Sequence, residues 1–137
     1  MCTLLTCGVF KMTWKTYEVK VYSNCYKEWY LNDQRHREDG PAVEYADGSK
    51  VWYINGKLHR DDGPAVEYAD GYKAWYLNDE RHREDGPAVE YADGSKSWYL
   101  NGTKYTEAEW KAKLNPVKEL SVKEISDLLG YEVKVVK

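Results

Sequence analysis

Tryptophan returns at Trp29, Trp52, Trp75 and Trp98, and this 23-residue step leaves few folds open to the chain. The surroundings return with it. One full turn of the pattern runs from Trp52 to Ala74, through Trp52-Tyr53-Ile54-Asn55-Gly56, His59-Arg60-Asp61-Asp62-Gly63-Pro64 and Ala65-Val66-Glu67-Tyr68-Ala69-Asp70-Gly71. A period in this range predicts stacked units that bury their apolar sides against neighbours, not one irregular core. With one Phe, six Trp, thirteen Tyr and a mean hydropathy of -0.80, burial falls to aromatic rings with polar tips.

Two turn signals divide each unit. One is Asp47-Gly48, Asp70-Gly71 and Asp93-Gly94; the other is Asn55-Gly56 and Asn101-Gly102, with Asn32-Asp33 and Asn78-Asp79. Both read as two-residue hairpin turns, where positive φ favours Asn, Asp and Gly. The first kind then pairs Tyr45 with Lys50, Glu44 with Val51 and Val43 with Trp52. The second pairs Ile54 with Lys57, Tyr53 with Leu58 and Trp52 with His59. The predicted fold is mainly β, a single antiparallel meander over residues 16–105 with its tryptophans stacked in one row. Alternation puts Val43, Tyr45, Trp52, Ile54 and His59 on one face, and Glu44, Val51, Tyr53 and Leu58 on the other. Residue types on the Trp face hold from unit to unit, whereas the position of Val51 runs Glu28, Val51, Ala74, Ser97. That variation predicts a packed Trp face and a solvated Tyr face.

Residues 1–15 show no pattern and are expected to be a frayed leader, with Met12 as an alternative start of the ordered protein. Tyr17 to Trp29 read as a half-unit that caps the sheet. At the other end Tyr105 stands where His is expected, and two capping boxes follow, Thr106 with Glu109 and Ser121 with Glu124. The first opens a helix through Trp110 and Leu114; the second opens one with Val122, Ile125, Leu128 and Leu129 on one face, closed by Gly130. With a strand from Tyr131 to Val136, residues 106–137 form a small α/β cap over the last sheet edge.

The charge is uneven: residues 32 to 102 hold nine Lys and Arg against fifteen Asp and Glu. Such an acidic surface repels a phosphate backbone and suits a protein partner with a basic surface. Cys2, Cys7 and Cys25 match no zinc spacing and read as reduced thiols of a cytoplasmic protein. No stretch approaches the ~20 apolar residues of a membrane span, and Leu4 to Phe10 is too short for a secretory signal. No membrane, metal or cofactor is expected. An uncovered sheet edge is a route to a homo-oligomer.

Three rows of residues invite a functional reading. His36, His59 and His82 stand three residues before Asp39, Asp62 and Asp85, a pairing that serves bases and metal sites. Each lies across from a Trp, with no Ser or Cys nucleophile beside it, so a structural role is expected and no enzyme. Arg37, Arg60 and Arg83, each followed by an acidic pair, read either as salt-bridge and turn devices or as forks for an acidic partner or nucleotide-like ligand. Tyr30, Tyr53, Tyr76 and Tyr99 either stiffen the sheet as a ladder or present an interaction patch. These Tyr and Arg rows are the candidate binding residues. The expected function is non-enzymatic protein binding; the alternative is a protein that sequesters a small ligand or nucleotide with Arg and Tyr between units.

The pattern Trp-Tyr-x-Asn-Gly-x-x-His-Arg-x-Asp-Gly-Pro-Ala-Val-Glu-Tyr-Ala-Asp-Gly resembles the variant MORN-type repeats of many phage proteins and some bacterial antitoxin-like proteins, over about residues 17–105. The Leu-Ser-Val-Lys-Glu-Ile tail is similar to the endings of such phage proteins. The resemblance implies a MORN-like β scaffold without a catalytic set. By analogy it implies a phage-type inhibitor of a host defence factor, acting in the host cytoplasm. The 23-residue unit with its His-Arg-x-Asp-Gly-Pro insertion departs from the commoner MORN pattern, so lipid contact is not carried over.

Overall fold

The computed structural model describes residues 11–12, 15–116 and 120–134. Strands β1 (Lys11–Met12) and β2 (Lys15–Thr16) pair with each other, so part of the expected leader is a short ladder; residues 1–10 lie outside the described part. The chain continues as β3 (Glu18–Val21), β4 (Lys27–Leu31), β5 (Gln34–Arg35), β6 (Val43–Glu44), β7 (Lys50–Val51), β8 (Tyr53–Ile54), β9 (Lys57–Leu58) and β10 (Val66–Glu67). It ends its β portion with β11 (Lys73–Ala74), β12 (Tyr76–Leu77), β13 (Glu80–Arg81), β14 (Val89–Glu90), β15 (Lys96–Leu100) and β16 (Thr103–Tyr105). The main sheet is an antiparallel meander in the order β16-β15-β14-β11-β10-β7-β6-β4-β3, with β5 paired to β4. Hairpins β8–β9 and β12–β13 form two-stranded ladders of their own. They join their neighbours edge to edge, through Gly56 N–H to Arg35 O (2.9 Å) and Arg60 N–H to Tyr76 O (3.1 Å).

The Asn turns are as expected. Asn55 and Gly56 both have positive φ, at 50° and 77°, and Tyr53 pairs with Leu58. The Asp-Gly turns are not. Val43 pairs with Val51 and Glu44 with Lys50, one residue out of the expected register. In this turn Gly48 alone has positive φ, at 91°; Tyr45 N–H donates to Ser49 O and Gly48 N–H to Tyr45 O. That is a three-residue loop, a turn followed by a left-handed glycine. Because side chains alternate, a one-residue slip sends the following strand to the opposite face.

The expected faces are therefore corrected. A cross-strand row Glu28, Val43, Val51, Val66, Ala74, Val89, Ser97 runs through the sheet, and every member is buried. The varying position of Glu28, Val51, Ala74 and Ser97 is interior, not solvent. Tyr53, Tyr76, Tyr99, Tyr26, Tyr72 and Leu58 pack onto this row. Small residues fit there because large rings fold over them from both ends of the strands. The next row, Lys27, Glu44, Lys50, Glu67, Lys73, Glu90, Lys96, alternates in charge on the other face, so each acid lies across from a base.

Helix α1 (Glu107–Leu114) and helix α2 (Val122–Leu129) both begin at the expected capping boxes, and Gly130 closes α2 in the left-handed region. Helix α1 packs on β15 and β16, with Trp110 buried and its Nε1–H donating to Arg83 O at 3.0 Å. It covers that end of the sheet. Helix α2 keeps Val122, Leu128 and Leu129 exposed. The strand expected from Tyr131 does not form over 131–134, where Val133 N–H turns back to Ser126 Oγ; Val135 and Val136 lie outside the described residues. Among the described residues no helix is long and apolar enough to cross a membrane.

Candidate functional site

On the tryptophan side each arginine of the row has its Nε and Nη1 engaged. The guanidinium of Arg60 lies 4.0 Å from the centre of the Trp52 ring; Arg37 over Trp29 and Arg83 over Trp75 lie at 4.2 and 3.9 Å. Arg60 Nε–H donates to Asp62 (2.8 Å) and Nη1–H to both Pro64 O (3.2 Å) and Glu67 (3.0 Å), and Arg37 and Arg83 repeat this set. The Gly of Asp-Gly-Pro is where it is because the guanidinium passes over it: a Cβ on Gly63 would stand 2.9 Å from the Arg60 Cζ. The Arg60 hydrogen bond and charge hold the Asp62 carboxyl below the usual range, and Arg83 acts likewise on Asp85. Arg37, Arg60 and Arg83 are thus clamps that tie each loop to its Trp and already hold two carboxylates each.

The histidines are equally committed. Asn55 N–H donates to His36 Nδ1 (3.0 Å), Asn78 N–H to His59 Nδ1 (3.2 Å) and Asn101 N–H to His82 Nδ1 (3.1 Å). An Nδ1 that accepts a backbone proton leaves the ring's own proton on Nε2, which faces Glu38, Asp61 or Glu84 at 3.2 to 3.5 Å. Asn55 Oδ1 and Asn78 Oδ1 also lie 2.9 and 3.2 Å from the Nδ1 of His36 and His59, so each of these rings is held by both the backbone and the side chain of its Asn. Among the described residues no cluster of His, Cys, Asp or Glu could hold a metal ion.

The tyrosine side is organised differently. Tyr30, Tyr53, Tyr76 and Tyr99 are half-buried, not an exposed row: the register slip puts them with the interior valines. The exposed tyrosines of the sheet are Tyr22, Tyr45, Tyr68 and Tyr91, at 38 to 47 % exposure, the last three beside the Asp-Gly turns; Tyr131, beyond α2, is exposed as well. They form ring chains, Tyr22–Tyr26–Tyr45 with centroids 4.9 and 5.1 Å apart, and Tyr68–Tyr72–Tyr91 at 5.2 and 5.7 Å. Between the second chain and the turns lies an open notch of about 420 Å³ lined by Tyr68, Asp70, Tyr72, Tyr91, Ala92 and Asp93. Ser95 donates from its hydroxyl and its backbone to Asp93, which keeps that carboxyl below its usual range and therefore charged.

At the N-terminal end of this side, a carboxylate is sunk into the interior row. Glu28 is 3 % exposed and accepts hydrogen bonds from Tyr22 (3.0 Å), Tyr26 (2.6 Å), Tyr30 (3.0 Å) and the Arg35 Nε and Nη2 (2.9 and 2.6 Å). Burial alone would raise its pKa, but the donors Tyr26, Arg35, Tyr30 and Tyr22 outweigh it and hold the carboxyl below the usual range. The same carboxylate, together with burial, pushes the Tyr26 hydroxyl well above its ordinary value. Neither Glu28 nor the exposed tyrosines stood among the expected site residues. The signal for the latter is the Asp-Gly-Ser and Asp-Gly-Tyr sequence, in which Asp accepts the N–H two residues on, as Asp47 does from Ser49 (2.9 Å).

Comparisons with protein-family models, with curated proteins and with solved structures return no match, so the geometry alone carries the functional argument.

Proposed function

We propose that this chain is a non-enzymatic protein-binding module that meets its partner with the tyrosine side of its sheet, at the end where the Asp-Gly turns lie. The observation that carries this reading is the notch of Tyr68, Tyr72 and Tyr91 flanked by Asp70 and Asp93. Exposed aromatic rings beside ionised carboxylates suit a Lys or Arg side chain, which gains a cation–π contact and an ion pair together. The acidic surface of residues 32 to 102 would steer a basic partner toward it. The contacts that hold the Nδ1 of His36, His59 and His82 against the backbone 19 residues on support a structural role for these rings. The engaged donors of Arg37, Arg60 and Arg83 speak against the nucleotide-sequestering alternative.

We read the sheet as an array of 23-residue MORN-like units, because the Arg-on-Trp, Asp-Gly and His-to-amide contacts recur at that spacing. With the resemblance to phage repeat proteins, the reading extends to a phage-type inhibitor that occupies a basic surface of a host defence factor. The test is capture from host lysate with the parent and with Tyr68→Ser/Tyr91→Ser. The variant should remain folded by circular dichroism and lose the captured protein at least tenfold, and parent binding should weaken with salt. A folded variant that captures the partner as well as the parent would sink this reading.

A further inference from the structure

The groups that hold the Glu28 carboxylate occur twice. Moving 46 residues along the chain from Tyr22, Tyr26, Tyr30 and Arg35 gives Tyr68, Tyr72, Tyr76 and Arg81, and from Tyr53, whose ring lies under Arg35, gives Tyr99. The one member that changes is the carboxylate itself: Ala74 stands where Glu28 stands. The intervening segment does not keep the set, since Tyr26 corresponds there to Ser49, Glu28 to Val51 and Arg35 to Leu58.

Arg81 shows what the missing carboxylate leaves behind. Arg35 gives Nε and Nη2 to Glu28. Arg81 instead gives Nε–H to the Tyr76 hydroxyl (3.0 Å) and Nη1–H to the Tyr99 hydroxyl (3.2 Å), and its guanidinium lies 5.2 Å from the Tyr99 ring centre, as Arg35 lies 5.5 Å from that of Tyr53. Among the described residues no acid lies within ion-pair distance of Arg81, its Nη2 has no partner, and the Tyr72 hydroxyl makes no hydrogen bond. A half-buried guanidinium supported only by neutral hydroxyls has the charge and the donors that suit a carboxylate. The geometry around Glu28 shows the fit: one planar carboxylate, one oxygen on the guanidinium and the Tyr26 hydroxyl, the other on the Tyr22 and Tyr30 hydroxyls. Arg81 is itself only half-buried, so part of it faces solvent.

We propose that Arg81, Tyr72, Tyr76 and Tyr99 form a receptor for a single carboxylate, a Glu or Asp side chain of the protein partner. The proposal rests on the protein-binding reading for the source of that carboxylate, while the receptor itself can be tested without any partner. Bound, the carboxylate takes Arg81 Nε and Nη2, and the Tyr76 hydroxyl turns from acceptor to donor, as Tyr30 is toward Glu28. The partner would then be read at two points, a base in the Tyr68–Tyr91 notch and an acid on Arg81.

The experiment is an NMR titration of the full chain at low salt with glutamate blocked at both backbone ends, with blocked glutamine and inorganic phosphate as separate arms. Blocked glutamate should give saturable shifts centred on Tyr72, Tyr76, Arg81 and Tyr99, and blocked glutamine at least tenfold smaller ones. Arg81→Leu, which borrows the residue of position 58, should abolish the response. Tyr72→Ser, borrowing that of position 49, should weaken it severalfold and decides the matter should Arg81→Leu not fold. Ala74→Glu should fold, melt no lower than the parent and no longer respond, because it carries its own carboxylate. A flat titration, equal response to glutamine, tighter response to phosphate, or an Ala74→Glu protein that melts well below the parent would each overturn the receptor. A partner captured from lysate alongside a flat titration would overturn the receptor alone and leave the protein-binding reading standing.

Discussion

The two sides of the sheet carry the same kinds of residue, aromatic rings with arginines and acids, and use them in opposite ways. On the tryptophan side each arginine has its ring, its Asp and its Glu, and each histidine its backbone amide. On the tyrosine side the closure is partial: Glu28 is saturated with donors while Arg81 has only hydroxyls, and a row of tyrosines stands exposed. Closed networks hold a fold together. Unfinished ones are where a second molecule gains most, because the cost of ordering the groups is already met by the fold.

The largest difference between the sides should come from Trp52→Ala, which removes the platform of Arg60 and loosens the loop through Pro64. We expect a loss of about 3 kcal/mol, near the low end for a deleted Trp because the ring is only half-buried. Urea unfolding measures it. The exposed Tyr68→Ala should cost under about 1 kcal/mol in the same assay; equal losses would break the contrast drawn here.

Next comes Glu28→Gln, which leaves Arg35 and three tyrosine hydroxyls around a neutral amide. The expected cost is about 2 kcal/mol, less than for a fully dry pair because Arg35 reaches solvent. The sign with pH follows from the depressed folded-state pKa. The unfolded chain binds a proton more readily, so the stabilisation is whole above about pH 4.5 and drains away as pH falls through the folded value. Thermal melts of the parent should therefore fall with acid more steeply than those of Glu28→Gln. Parallel acid profiles would mean that the carboxylate is not held as described.

The smallest effect runs in the favourable direction. Cys25, in the Asn24-Cys25 turn, occupies the left-handed position, φ 62°, that Gly48, Gly71 and Gly94 take in the Asp-Gly turns. Cys25→Gly should raise stability by about 1 kcal/mol, since a side chain there is strained. Unfolding midpoints that do not rise would show that the turn has adjusted to the cysteine.

Much of this was legible before any coordinates, and the failures share a cause. Asn55-Gly56 and its counterparts, the capping boxes at Thr106 and Ser121, and the antiparallel meander each depend on a few adjacent residues whose chemistry admits one geometry. Asp47-Gly48 admits two, a two-residue loop and a three-residue one, and the choice is made by the Ser49 N–H reaching the Asp47 side chain. That single ambiguity inverted the faces, and so Tyr30, Tyr53, Tyr76 and Tyr99 were expected in solvent. Glu28, Val51, Ala74 and Ser97 differ because different rings and donors cover each of them, a freedom that resembles exposure when read along the sequence alone. The Arg81 cradle escaped notice for a related reason: it is visible only when positions 46 residues apart are laid over a known occupant.

Among the described residues, the hydrogen bond that spans the greatest stretch of chain joins Trp110 to Arg83, 27 positions apart. Among the described residues no strand pairing joins β3 to β16. Most contacts close small loops, so ordering can start in any hairpin and spread to the next with little entropy lost at each step. Disassembly should follow the same route backwards, peeling one hairpin at a time from the β3 edge while the α1 end holds on through Trp110. Hydrogen exchange should accordingly show a slope of protection, lowest near Val19 and rising toward Val66 and Ala74, where a chain closed on itself would lose its amides together.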